Sequence, residues 1–346
     1  FFFHADAGIR DPLWSRGLGD VYKRQRIYSS QYRAVTASDY SGIIPFVYPN
    51  VESVTAYGGE ELEPPEYGKV FISIKPRNGS FLSQITKDDI SRQLKQYSIA
   101  GIKPEIIDLK YLYVEVDSSV YYNSNAISDA TELVTSVTKA LTSYSQSSDI
   151  NAFGGRFKYS KIVGLIDASA RGVTSNITKV KMRRDIAPEL NTFATYELCY
   201  GNSFFKQRNG YGIRSTGFTV SNVSGTIYMG DIPTAGTDFG KIIFFKLVNN
   251  LPLIVKNDAG TVDYIHGEIN LDVVNITGTS LANGLIQVEA IPQSNDVIAL
   301  KDLYLQLDVT NSSVNALPDV VSSGENTSAT SYVTTSSYAS ESIYTR

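Results

Sequence analysis

The chain has 346 residues but one cysteine, two histidines and one tryptophan, and its formal net charge is only -4. A single thiol, Cys199, excludes an internal disulfide and a multi-cysteine metal site, and fits assembly in a reducing cytoplasm. With His4 and His266 the only imidazoles, any Ser-His-Asp or Cys-His arrangement has to use His266, because His4 falls in an aberrant leader. No apolar run approaches the ~18 residues that would mark a membrane-spanning helix. The small negative charge does not draw the whole chain to nucleic acid or to an anionic membrane. No serine sits in a Gly-x-Ser-x-Gly elbow, and no Walker-type glycine loop occurs.

Tyrosine, by contrast, is abundant, with 23 copies. A phenol ring suits half-exposed strand faces and subunit interfaces, where the ring packs and the hydroxyl stays wet. The clearest pattern is at 111–117, where Leu112, Val114 and Val116 alternate with Tyr111, Tyr113, Glu115 and Asp117. Period two gives a strand with one aliphatic face. It is followed over 128–144 by Ala130, Leu133, Val134, Val137, Ala140, Leu141 and Tyr144 at three- and four-residue steps, a helix with one apolar stripe. The two faces are expected to cover each other.

A second strand is expected at 69–75, then a helix with Thr86 as N-cap, Asp89 completing a variant capping box, and Ile90, Leu94 and Tyr97 as its stripe. Gly101 and Pro104 end it, and an extended segment follows over 105–117, so that 69–117 has the order of a β-α-β unit. Residues 51–57 form a weaker candidate strand; 26–50 carry weak signals; Glu60, Glu61, Glu63 and Glu66 read as a solvated loop rather than a cation site. A short helix capped by Ser160 and a strand at 174–182 complete this half. Beyond Asn191 the helical period disappears. Strands are expected at 192–200, 213–220, 226–229, 241–248, 252–256, 260–264, 268–274, 285–290 and 301–309, with turns at Asn257-Asp258-Ala259-Gly260 and His266-Gly267.

The expected fold is therefore α+β: a two-layer α/β domain in β-α-β-α-α-β order, then a mainly-β domain. Its divisions are 1–25, a non-native leader whose Leu18-Gly19-Asp20-Val21-Tyr22-Lys23-Arg24-Gln25 resembles translated sequencing-adapter debris; 26–67, a lead-in strand and loop; 68–190, the α/β domain; 191–320, the β-rich domain; and 321–346, a Ser/Thr-rich tail expected to order only on a neighbour. The leader makes this the expected C-terminal part of a longer protein.

Chemistry is sparsely signalled. Asp258, Asp263, Glu268 and Asp272 offer a possible glycosidase pair on adjoining strands, and Asp231 with Asp238 a possible calcium loop; solvent-facing strand positions are the simpler reading. Lys179, Lys181, Arg183 and Arg184 form a basic row without interleaved aromatics, read as a solvated or subunit-facing strand edge. Arg208-Asn209-Gly210-Tyr211-Gly212 lacks the strand-to-helix order of a phosphate cradle, and Cys199 reads as a small packing residue. No catalytic, cofactor-binding or metal-binding residue is assigned.

The strand Lys69-Val70-Phe71-Ile72-Ser73-Ile74-Lys75-Pro76, the elements after it, and Phe153-Gly154-Gly155-Arg156-Phe157-Lys158-Tyr159-Ser160 resemble the J-like baseplate family, wedge proteins of contractile-tailed phages and related injection machines. Tyr264-Ile265-His266-Gly267-Glu268-Ile269-Asn270-Leu271 and Ser294-Asn295-Asp296-Val297-Ile298-Ala299-Leu300 are similar to wedge proteins of T4-like phages. The resemblance, from about residue 56 onward, implies a structural, non-enzymatic subunit of the virion tail baseplate, assembled in the bacterial host cytoplasm. It implies partners in the chain itself and in other wedge and hub proteins, linked as a ring, and neither nucleic acid, membrane, small-molecule substrate nor cofactor. Two rival readings follow from the β-rich half: a receptor- or glycan-binding tail protein, and a glycosidase.

Overall fold

Alternation at Leu112, Val114 and Val116 produces what it should: all three are fully buried, on a strand that extends further than the pattern, β4 (Lys110–Tyr122). They pack with Leu133, Val137 and Leu141 of a helix, Ala130–Ser145. In the computed structural model, which describes residues 33–62, 64–147 and 150–319, the expected leader at 1–25 and tail at 321–346 lie outside the described residues.

The chain divides into two compact units, Phe1–Leu109 and Lys110–Arg346. That division falls inside the 68–190 span expected for one α/β domain. In the first unit, α1 (Ala37–Val47) precedes β1 (Val51–Gly58), β2 (Lys69–Pro76), α2 (Gln84–Leu94) and β3 (Lys103–Ile107). The sheet order is β1-β2-β3, with β1 antiparallel and β3 parallel to β2, so α2 is the crossover of a β-α-β unit. The unit closes on β3, not on the whole of 105–117, because the chain breaks strand at Asp108 and Leu109 and β4 enters the other sheet. Tyr40, Ile43, Ile44, Ile72, Ile74, Ile90 and Leu94 form its core.

Helix starts differ from expectation in an instructive way. The reciprocal capping box belongs to α1, where Asp39 N–H donates to Thr36 Oγ1 (3.3 Å) and Thr36 N–H to Asp39 Oδ2 (2.9 Å). Helix α2 is capped by Ser83, whose Oγ accepts from Thr86 N–H at 3.3 Å, so Thr86 lies in the first turn. The equivalent Thr-x-x-Asp signal at Thr36 stood in the stretch read as weak.

In the second unit, α3 (Ala130–Ser145) and α4 (Tyr159–Asp167) cover one side of a long mixed sheet, with the short β5 (Ala152–Phe153) and β6 (Arg156–Phe157) between them. The expected cap Ser160 lies inside α4; the cap comes instead from far along the chain, where Asp296 Oδ1 accepts from Tyr159 N–H at 2.8 Å. The next residues, β16 (Val297–Ile298), pair with β6. From 69 to 186 the observed order is β-α-β-β-α-β-β-α-β, with three more strands than expected.

The remaining strands are β7 (Val173–Ile186), β8 (Phe193–Cys199), β9 (Ile213–Ser215), β10 (Phe218–Val220), β11 (Val223–Pro233), β12 (Phe239–Val248), β13 (Leu251–Asp263), β14 (Glu268–Thr279), β15 (Ile286–Ala290), β17 (Leu303–Leu307) and β18 (Ser313–Pro318). The second half is mainly β, as expected. Because β10 pairs with both β11 and β14, the strands β10-β14-β13-β12-β11 close into a five-stranded antiparallel barrel filled by Phe218, Ile227, Phe244, Val262, Ile269 and Ile276. The sheet then continues from β11 through β9, β15 and β7 to β4 and β17. Strand β17, the cleanest alternation of the second half, lies parallel to β4, and β18 extends that pairing from Asp117 to Tyr122. The helix-covered strands and the barrel of the second unit thus share one sheet.

One expected turn is absent. Asn257-Asp258-Ala259-Gly260 lies within β13, opposite a register shift near Ile242–Phe244 of β12. At Gly260 a Cβ would meet Asn270 O at 2.1 Å, so glycine is required there by the close approach of β14. The hairpin turn is Asn249-Asn250, with φ of 53° and 62°, as a two-residue type I′ connection demands.

Candidate functional site

The basic row is the first candidate and is not an edge. Strand β7 runs between β4 and β15, and the register places Lys181 opposite Glu115, Lys179 opposite Asp117 and Arg183 opposite Tyr113. Arg183 is only 3% exposed; its Nη1 donates to Glu115 Oε1 at 2.6 Å and lies 3.0 Å from Asp308 Oδ2, and its guanidinium stacks 4.2 Å from the Tyr113 ring centre. Its Nε is 3.0 Å from Asp185 Oδ1, an ion pair without hydrogen-bond alignment. Lys181 joins Asp117 (2.7 Å) to Glu289 of β15 (3.5 Å). Burial works to raise the Asp117 carboxyl, but the hydrogen bond and charge of Lys181 and the hydroxyl of Ser313 hold it below the ordinary value. Lys179, Lys181 and Arg183 are cross-strand partners of carboxylates, and Arg184 donates to the Cys199 carbonyl. Adjacent like charges in the sequence had concealed a mixed ladder whose acidic rungs sit about 65 residues away.

The acidic group in the β-rich half does not converge. Asp263 holds the β13–β14 turn: its Oδ1 accepts from the Ile265 and His266 amides (2.9 and 3.1 Å), and its Oδ2 is 2.7 Å from His266 Nδ1. Its carboxyl lies below the ordinary value, burial being outweighed by the His266 side chain and these amides, and the His266 imidazole is raised by its hydrogen bond to Asp263. The imidazole is 70% exposed, a turn residue on the surface. Asp258 pairs with Lys241 at 2.9 Å, Glu268 accepts a long contact from Cys199 Sγ (3.8 Å), and Asp272 is exposed.

Asp231 and Asp238 do not share a cation site. Asp231 is fully buried, accepting from the Tyr264 hydroxyl at 2.5 Å and Ile213 N–H at 2.8 Å, while Asp238 is exposed and contributes its carbonyl to Tyr264 N–H. Burial pushes the Asp231 carboxyl up despite these donors. Among the described residues, no three His, Cys, Asp or Glu gather as a metal site. Tyr211 N–H of the glycine-rich loop donates to Asp231 O at 2.9 Å, so that loop docks on β11. Cys199, on β8, is half-buried, and burial raises its thiol. Glu60, Glu61 and Glu66 are exposed, with Glu66 paired to Lys69 at 2.6 Å.

Side-chain chemistry thus serves turns, caps and strand pairing; the comparisons with known proteins bear on what the scaffold is. Residues 36–107 match the family model described as baseplate structural protein gp6, C-terminal domain I, and residues 110–185 match C-terminal domain III of the same protein. The junction between these matches coincides with the Leu109/Lys110 division. Over 341 residues, 87% of this chain, it is 25% identical to the baseplate wedge protein gp6 of enterobacteria phage T4. The chain is thus similar to a gp6-type baseplate wedge protein, through two successive domains and over most of its length. It spans 50% of that relative's length. A chain of the cryo-EM structure of the anti-feeding prophage baseplate matches 48% of this chain and 37% of its own length at 13% identity and a TM-score of 0.35, too low to carry argument.

The motifs that had suggested the resemblance acquire physical roles. Ser294-Asn295-Asp296-Val297 caps α4 and pairs with β6, and Tyr264-Ile265-His266-Gly267 makes the β13–β14 turn and the buried bond to Asp231. The tyrosines are divided: Tyr40, Tyr200, Tyr264 and Tyr304 are core residues, many are half-buried on strand faces, and Tyr67 stands 79% exposed. Large exposed apolar groups are mostly Phe, Leu, Ile and Val, which the tyrosine count did not signal.

Proposed function

We propose that this chain is a load-bearing structural subunit of a contractile-tail baseplate wedge, that it self-associates, and that together with other wedge and hub proteins it links neighbouring wedges into a ring around the hub. The two successive gp6-type domain matches, meeting where the compact units divide, carry this reading. The subunit acts in the virion and assembles in the bacterial host cytoplasm. The proposal includes no catalytic role: the carboxylates a glycosidase would need hold a turn, a surface ion pair and a strand paired on both sides. Closing a ring takes heterologous contacts in addition to any twofold pairing, so at least two surfaces are required.

Sedimentation of the chain over a wide concentration range, alone and co-expressed with the neighbouring baseplate subunits, tests the proposal. Reversible self-association and a stable mixed complex are expected. A monomer at the highest concentration that also fails to enter any mixed complex would refute it.

A further inference from the structure

The far end of the β12–β13 hairpin is built unlike the rest of the barrel. Pairing of β13 with β14 runs from Gly260–Leu271 to Asp263–Glu268, so residues 251–256 of β13 pair, among the described strands, with β12 alone. Their outer backbone edge is open, a position where natural sheets usually place short, charged, bulged or proline-bearing strands; Pro252, with no N–H of its own, is one such device in this stretch. Here the side chains are apolar: Leu251 is 65% exposed, Leu253 57%, Ile254 42% and Val255 39%. Where β13 leaves β14, an apolar cleft of about 190 Å³ opens between them, walled by Val255, Val273 and Phe193 with Phe244 and Ile227 beneath. Between Phe239 and Asn257 the only ionisable residues are lysines, Lys241, Lys246 and Lys256. Lys241 is neutralised by Asp258; Lys246 donates to the Ser224 carbonyl, and Lys256 lies over the Phe244 ring, neither one paired with a carboxylate among the described residues.

We propose that this edge is a strand-addition site for an extended segment of a partner protein, alternating apolar and polar side chains and flanked by acidic residues. The segment's backbone pairs with the free edge of 251–256, its apolar side chains enter the cleft beside Val255 and Val273, and its flanking carboxylates meet Lys246 and Lys256. Open main-chain groups supply affinity, and a pocket for alternate side chains supplies selectivity. The charge of the lysines favours an acidic-flanked segment over a second copy of the same hairpin, which would bring like charges together.

The inference extends the assembly reading to one surface and one partner chemistry, and it can be tested apart from it. The probes are three synthetic peptides of alternating valine and threonine, flanked by glutamates, flanked by lysines, or interrupted by prolines, titrated by fluorescence anisotropy against the full chain. The glutamate-flanked peptide should bind at least about tenfold more tightly than the other two. Leu253→Lys and Val273→Lys, both exposed, should each weaken it by about tenfold or more with an unchanged circular dichroism spectrum, and Lys246→Glu with Lys256→Glu should reverse the preference for flanking charge. No binding up to roughly millimolar peptide, or binding indifferent to these variants, would overturn the proposal. So would Leu253→Lys abolishing self-association while peptide never binds, which would assign the edge to a second copy, or binding to anionic vesicles without binding to peptide. Peptide failure with intact sedimentation behaviour removes the surface and leaves the subunit reading standing; the converse result separates them the other way.

Discussion

Replacing Arg183 with methionine tests whether the ladder on β4 and β7 holds the second unit together. The substitution keeps length and apolar volume but takes from Glu115, itself 3% exposed, the guanidinium it accepts from at 2.6 Å. Removing one member of a buried ion pair costs about 3–5 kcal/mol, chiefly through the charge left behind. For a unit of this size that corresponds to a melting-temperature fall of roughly 6–20 °C. Asp185 and Asp308 are 16% and 13% exposed and can recover some hydration, so Glu115 dominates the loss. The double variant Arg183→Met with Glu115→Met should therefore regain more than half of it, because well-packed apolar pairs replace buried ion pairs at little cost. Urea unfolding followed by far-ultraviolet circular dichroism measures both. A single variant within about 1 kcal/mol of the parent, or a double variant as unstable as the sum of its singles, would refute the argument that burial makes this pair interdependent.

Acid should act on the second unit with two signs. Asp117 and Asp308 lie below their ordinary values, burial in each being outweighed, at Asp117 by Lys181 and Ser313 and at Asp308 by Asn311 and Arg183. Their stabilisation is complete above the unfolded value near ~4 and disappears as pH falls through their folded values. Asp231, raised by burial, binds its proton more tightly when folded, so it adds stability as pH falls through its folded value toward ~4. Asp231→Asn removes that offset, and urea midpoints between neutral and acid pH should fall more steeply in the variant. Gly260→Ala should cost about 1–3 kcal/mol by denaturant titration because its methyl meets Asn270 O, whereas Asn250→Gly, at a positive φ, should be neutral or stabilising by up to about 1 kcal/mol. Asp296→Ala should cost about 1 kcal/mol and speed amide exchange in the first turn of α4 more than in α3.

Local patterns were legible wherever the decisive contact was local. Leu112, Val114 and Val116 announced their face, and the stripe from Leu133 to Leu141 announced its helix, because burial imposes a period on the sequence. Failures cluster where the partner is remote. Nothing near Tyr159 reveals that Asp296 caps it, nothing near Lys179 reveals Asp117, and nothing in Leu303, Leu305 and Leu307 says that they rejoin β4 rather than close the barrel. At Asn257-Asp258-Ala259-Gly260 the turn chemistry was genuine, yet a bulged strand uses the same residues, glycine serving close approach in place of reversal. Two further local signals are in the sequence, the capping box at Thr36 and the paired asparagines at Asn249-Asn250.

The distribution of ionisable groups explains why no chemical site was legible either. Arg183, Asp231, Asp263, Asp296 and Asp308 would each be a natural choice for catalysis by burial or by turn position. Each instead satisfies a backbone amide, a buried hydroxyl or an opposite charge on another strand, and a group so satisfied is held in one geometry. Cross-strand pairing of this kind suits the load-bearing role proposed above, and it leaves recognition to other parts of the surface. The open edge at 251–256, with four exposed apolar side chains and two lysines that pair with no carboxylate among the described residues, is such a part. Apolar side chains projecting beside a free strand edge fit the strand-addition site proposed above.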